Sequence, residues 1–267
     1  MTTTPVFFIS HGAPTFAVEP AELGAQLCAL GQRLHDVKAV LVVSPHWQTH
    51  GVRVMSTPVP ETLHDFGGFP AELYTLRYPA PGSPESAIEA ARLLAAAGFS
   101  VSLDEKRGFD HGAWVPLLHL LPGADVPVFQ VSMPATLTTA EAFRLGQALA
   151  PLRAQGVLIV ASGSMTHNLY EVGPAGTGEA AYAREFAAWV RQAVLDNAID
   201  RLVAYRRAAP HAERAHPTEE HFLPLLVALG ANAENAAVQT LDGGVTYGVI
   251  SMESYVWGAQ DLNTVDR

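Results

Sequence analysis

Val157-Leu-Ile-Val-Ala-Ser162 is a short, uninterrupted apolar run, and Gly163-Ser-Met-Thr-His167 follows it at once. A run of this length, rich in β-branched residues and without polar alternation, suits a strand buried on both faces of a helix-covered sheet. Residues 6–10, 39–44 and 126–133 read the same way. Between the strands, residues 21–34, 85–97, 140–153 and 179–195 carry apolar side chains at helical spacing, with Pro or Gly near several ends. The alternation predicts an α/β fold with a mostly parallel central sheet flanked by helices. No repeat or Pro/Gly/Ser-rich linker divides the chain, so residues 1–267 are expected to form a single domain.

The composition supports a large core. Apolar residues make up 49% and charged residues 16% of the chain, far too apolar for disorder. A formal charge of −10 with no basic run argues against nucleic acid as a partner. Cys28 is the single cysteine, which excludes an internal disulfide, and its apolar surroundings read as core. Met1-Thr-Thr-Thr-Pro5 has no basic leader, and no apolar run approaches the ~18 residues of a membrane span. A cytoplasmic protein acting away from membranes is therefore predicted.

Eleven histidines are present, and their positions matter more than their number. His11 directly follows the first strand, His46 follows residues 39–44, and His167 follows residues 157–162. In a parallel sheet these carboxyl ends share one edge, where open α/β folds bind ligands. One strand-end histidine is most simply a satisfied polar side chain; three on one edge point to a metal. Neutral imidazole suits zinc or iron, and the lack of clustered cysteines argues against a structural zinc. A fourth candidate comes from a helix predicted to start near Thr218, its N-cap, and to run through Leu229. His221 would then lie in the first turn and face the site, with His216 as the alternative ligand.

Two further histidines sit in stretches read as loops, His64 within the long irregular segment 57–83 and His111 in Gly108-Phe-Asp-His-Gly112. Phe66, Phe69, Tyr74, Phe109 and Trp114 are candidate walls of an aromatic pocket, with His64, Phe69 and Trp114 placed against substrate. Asp65 and Asp110 adjoin these histidines and are expected to orient imidazoles. His35, His50, His119 and His211 are assigned no role. Serine catalysis and phosphate cradling lack their motifs, since neither Gly-x-Ser-x-Gly nor a Gly-rich phosphate loop is present.

Several ordered motifs together resemble one family. They are Ser10-His-Gly-Ala-Pro14, Ser44-Pro-His-Trp47, His64-Asp-Phe-Gly-Gly-Phe-Pro70, Tyr78-Pro-Ala-Pro-Gly82, Gly108-Phe-Asp-His-Gly112, Ser162-Gly-Ser-Met-Thr-His-Asn168 and Pro217-Thr-Glu-Glu-His-Phe-Leu-Pro224. Across essentially the whole chain, the sequence is similar to the class III extradiol ring-cleavage dioxygenases of the LigB-type superfamily, in particular their 4,5-DOPA extradiol dioxygenase branch. The resemblance implies a mononuclear metal on His11, His46 and His221, with His167 as a fourth ligand or the catalytic base. It implies a further active-site role for His111. Elsewhere in the superfamily the third ligand is a carboxylate; with His221 there, the site suits Zn(2+) as well as Fe(2+).

The implied reaction is opening of a DOPA-like catechol by O2 to a muconic semialdehyde, with Fe(2+) as the working metal. Two other functions fit the same residues. One is a zinc hydrolase using metal-bound water. The other is a non-catalytic metal-binding scaffold, which would need neither a base nor a gap in the coordination shell.

Overall fold

A computed structural model describes residues 3–232 and 235–259. Eight strands form one sheet: β1 (Val6–Ser10), β2 (Ala39–Thr49), β3 (Val52–Met55), β4 (Val101–Asp104), β5 (Val128–Pro134), β6 (Val157–Gly163), β7 (Val238–Leu241) and β10 (Ser254–Trp257). β8 (Val245–Thr246) and β9 (Ile250–Ser251) form a separate small hairpin. The order in the large sheet is β4-β3-β5-β2-β6-β1-β10-β7. Its centre, β5-β2-β6-β1, is wholly parallel. The predicted α/β class is therefore correct, and antiparallel β10 and β7 extend the edge beyond β1.

Because β6 inserts between β1 and β2, the strand carrying His167 lies between those carrying His11 and His46. Nearly every residue of these three strands up to Ser44 is buried, as two covered faces require. The helices are α1 (Ala21–Gly31), α2 (Pro84–Ala96), α3 (His111–Leu120), α4 (Thr139–Leu149), α5 (Ala181–Leu195), the short α6 (Ile199–Val203), α7 (Tyr205–Ala208) and α8 (Ala212–Ala215), and α9 (Leu223–Ala231). α3 packs on β2 and β6 with α1 outside it, while α9 packs on β1, β2 and β6 with α4 outside it. All nine residues of α9 are buried. A helix that is apolar all round needs such a place, between a sheet and another helix.

Three expectations need correction. The late helix begins at Leu223, not near Thr218, because Pro224 occupies its first turn and Thr218 turns its hydroxyl to Glu220 Oε1 instead of capping. His221 consequently sits in the turn before α9. The helix expected over 140–153 ends at Leu149 and gives way to a 3-10 turn, Ala150–Gln155, around Pro151, which has no N–H to continue it. Finally, His111 is not in a loop but is the first residue of α3.

α4 and α9 meet backbone to backbone through paired glycines. A Cβ on Gly146 would lie 2.0 Å from the Val227 carbonyl oxygen, and one on Gly230 would lie 2.0 Å from that of Phe143. Gly230→Ala should therefore force the helices apart and cost about 1–3 kcal/mol, read as a lowered urea midpoint. An unchanged midpoint would show that the crossing yields freely.

Candidate metal centre

The carboxyl edge of the parallel strands brings the histidines together by three local devices. At the end of β1, the His11 N–H donates to the Gly163 carbonyl (3.0 Å), prolonging the β1–β6 ladder. In β2 a bulge intervenes: Val43 pairs with Val131 and Gln48 with Met133, so β2 spends five steps where β5 spends two. His46 lies on that bulge. Its carbonyl accepts from Arg107 (3.3 Å), whose guanidinium stands over Trp47 and also bonds Asp110. The third device is the turn before α9, where the His221 carbonyl accepts from the Ser164 N–H (2.9 Å).

His11, His46 and His221 thus present one nitrogen each, all within 4.8 Å of one another. The two buried members are pre-set as ligands. His11 Nδ1 is 2.8 Å from Ser162 Oγ, and His221 Nδ1 is 3.1 Å from Glu220 Oε1. A proton on each Nδ1, donated to those oxygens, leaves both Nε2 lone pairs facing the cluster. His221 Nε2 is buried without a hydrogen-bond partner, and His46 Nε2 lies 3.1 Å from His11 Nε2. Neutral imidazoles converging in this way, one with an orphaned nitrogen, fit a divalent cation of the zinc or iron type.

Electrostatics keeps these ligands neutral. Burial, reinforced by the neighbouring imidazoles, pushes His11 and His221 well below the ordinary histidine range. Burial and His111 bring His46 down to about 4. An unprotonated imidazole is the form that binds a metal.

His167 stands at the side of this group. Its ring stacks on that of His221, with centroids 3.4 Å apart and planes 9° apart, and its backbone N–H is fixed by the Ala215 carbonyl. His111, at the start of α3, has both its N–H and Nδ1 on Asp65 Oδ1 (2.9 and 3.0 Å), and its ring lies 3.9 Å from that of His46. Burial opposes ionisation of Asp65, but the bonds from His111 prevail and hold it near 2. Asp65 thus orients an imidazole as expected. Asp110 does not: it receives Ser44, Gln130 and Arg107, tying β2, β5 and the start of α3 together.

Other expected residues fall further out. His64 is half-buried and turns Nε2 to the Leu76 carbonyl (3.1 Å), so it ties its own loop. Trp114, expected against substrate, is fully buried with its indole N–H on the Leu63 carbonyl, because it lies one turn inside α3. It backs His64 from behind, with ring centroids 5.7 Å apart. Phe109 is likewise core. Phe69 does line a cavity beside His167. His216, the alternative ligand, is buried among Phe186, Tyr205 and Phe222 with Nε2 on the Met165 carbonyl, outside the convergent set.

Ser162, Glu220 and Arg107 were not singled out from sequence. Membership of the strand-end motif that leads to His167 was the available signal for Ser162, and adjacency to His221 was that for Glu220. Arg107 carries none, since only the fold brings it to His46.

The chain matches the family described as the catalytic LigB subunit of aromatic ring-opening dioxygenase over residues 6–257. It is 42% identical to the 4,5-DOPA dioxygenase extradiol of Beta vulgaris, covering 93% of this chain and 94% of that protein. The Escherichia coli (strain K12) protein of the same description is 37% identical, with 95% and 94% covered. A crystal structure of an uncharacterized Escherichia coli K12 protein, JW3007, superposes with a TM-score of 0.79 at 32% identity, covering 95% of this chain and 99% of that one.

His221→Ala should lose most bound metal, measured by elemental analysis after desalting, whereas His216→Ala should retain it; the reverse pattern would reassign the ligand. Glu220→Gln should weaken binding by about 10- to 100-fold. The metal-free protein should also be acid-labile. The unfolded chain takes up protons near pH 6.5 and folded His46 only near 4, so the stability this contributes is present above about 6.5 and lost toward 4. Thermal melts of the metal-free protein across that range test this.

Proposed function

Because the chain belongs to the family of catalytic LigB subunits of aromatic ring-opening dioxygenases, we propose that it opens a catechol beside its hydroxyls with O2, giving a muconic semialdehyde in the cytoplasm. The observation that carries this reading is a three-imidazole cluster with a fourth imidazole, His167, set at its side next to a cavity. A metal bound by His11, His46 and His221 would be Fe(2+), which supplies the one-electron chemistry that triplet O2 needs and acidifies a bound phenol.

The chain's own residues then do three things. His167 accepts the phenolic proton: burial holds it below the ordinary histidine range, so it is neutral near pH 7 and has a free nitrogen. The base role is taken over that of fourth ligand because His11, His46 and His221 already form a convergent set of three, beside which His167 stacks on His221. His111, its Nδ1 held by Asp65, keeps its ring beside His46, placed to hydrogen-bond a substrate or oxygen atom. The aromatic loop of Phe66 and Phe69 limits water at the mouth, with Phe66 packed 5.6 Å from the His111 ring.

The test is metal replacement. Protein stripped and reloaded anaerobically with Fe(2+) should take up O2 with a catechol and turn yellow, and the Zn(2+) form should do neither. His167→Gln should keep its iron and lose about 10²- to 10⁴-fold in turnover. No O2 uptake with iron, together with ester or amide hydrolysis by the zinc form, would replace this reading with a hydrolase.

A further inference from the structure

His46 is held differently from the other two members of the cluster. His11 and His221 each turn an outer ring nitrogen to an oxygen, on Ser162 and Glu220, and this fixes the ring. Among the described residues the His46 ring has no such oxygen; its hydrogen-bond neighbour is His11 Nε2. Nor does the sheet hold it. Residues 44–47 fall in the gap of the β2–β5 register and beyond Val43, where the β2–β6 pairing ends. The peptide groups of His46 therefore need partners outside the ladder.

Both find side chains that lead to one carboxylate. The His46 N–H donates to Ser44 Oγ (3.3 Å), whose hydroxyl donates to Asp110 Oδ1 (2.8 Å). On the other side the His46 carbonyl accepts from Arg107, and the same guanidinium nitrogen donates to Asp110 Oδ2 (3.1 Å). Asp110 is itself anchored. It is fully buried, and the Gln130 amide accepts its backbone N–H (3.2 Å) and donates to Oδ2 (2.9 Å). Gln130 belongs to β5, in the parallel centre of the sheet. Asp110 also occupies the N-cap position of α3, where an aspartate ordinarily bonds the first turn, yet its side chain makes no such bond. Its oxygens go to the β2 bulge instead. Gly112 lets the start of α3 lie against them, since a Cβ there would be 2.3 Å from Ser44 Oγ and 3.3 Å from Asp110 Oδ1.

We propose that Asp110 is the positioning residue of His46: through Ser44 and Arg107, one buried carboxylate clamps both peptide groups of that histidine and so aims its ring at the metal. Among the described residues Asp110 hydrogen-bonds no imidazole, and it reaches His46 through the backbone. The inference rests on the reading that His46 binds the metal, and not on the reaction that follows. Each link is weak by itself, because both bonds to His46 are 3.3 Å long. Joined on one anchored group, they replace the ladder bonds that a bulge forgoes.

Zinc affinity of the full chain, read by competition with a chromophoric chelator, tests the clamp. Asp110→Asn keeps the shape of the side chain but sets an N–H against one of three donors, and should weaken zinc by about 10- to 100-fold. Ser44→Ala cuts the link to the His46 N–H and leaves the Arg107 pair, and should cost about three- to tenfold. The decisive comparison is made in a His46→Ala background. There neither change should alter the remaining affinity by more than about twofold, because the ring they aim is gone. The visible spectrum of the Co(2+)-loaded protein should also move with Asp110→Asn, reporting altered coordination in molecules that have folded. Equal losses with and without His46 would show that Asp110 merely stiffens the fold and would overturn the proposal, as would an unchanged zinc affinity in Asp110→Asn. If Asp110→Asn does not fold, Ser44→Ala decides by the same comparison. If His46→Ala alone binds zinc as tightly as the parent chain, the metal reading of His46 fails and the proposal falls with it.

Discussion

One peptide group, between Gly163 and Ser164, fixes the geometry of the centre. Its carbonyl accepts the His11 N–H and its N–H donates to the His221 carbonyl, so two histidines far apart in the chain are referred to the same rigid plane. Each bond contributes only about 1 kcal/mol net, yet together they set where two imidazoles stand. The arrangement requires a glycine: a Cβ at position 163 would be 2.4 Å from the His221 oxygen. Similar economy appears at Gly112, where a Cβ would lie 2.3 Å from Ser44 Oγ and 3.0 Å from the His46 ring. Close approach of backbone to ligand-bearing segments is what these glycines provide.

The cluster opposes folding locally. Several imidazoles lose hydration in a small volume and, if protonated, repel one another. The fold answers by burying His11, His46 and His221 in their neutral form and by giving the outer nitrogens of His11, His221 and His111 to Ser162, Glu220 and Asp65. What remains unsatisfied, notably His221 Nε2, is directed inward. What marks the ligand set is convergence of such nitrogens: His216 also has a buried nitrogen without a partner, Nδ1, but its Nε2 ends on the Met165 carbonyl and its ring lies among Phe186, Tyr205 and Phe222.

Much of this was legible in the sequence, for identifiable reasons. A buried parallel strand ends where its apolar run ends, so His11 and His167 announced a shared edge; His221 was offered by its place at a predicted helix start, and the resemblance to a known family set it beside His11 and His46. His46 was found for a partly mistaken reason, since it sits on a bulge within β2 and not beyond it; a bulge has no apolar signature. The start of α9 was misplaced because Thr218 satisfies the rule for a cap while Pro224 decides the outcome. Trp114 and Asp110 were assigned from proximity in sequence to His111. Trp114 shares the face of His111 but lies one turn further into α3, where its indole is enclosed against Leu63 and the core. Arg107, Ser162 and Glu220 act through contacts that only the folded chain creates.

The burial of α9 has a consequence for how the molecule is assembled. This segment has no surface of its own: it needs the sheet on one side and α4 on the other before all nine of its residues leave water. A half-built partner would leave part of it exposed, and by itself it is too short to persist as a helix. His221, immediately before it, therefore reaches its place only when the last layer closes. An incompletely folded chain has His11 and His46 in place at most, so the three-imidazole cluster is a property of the finished protein alone.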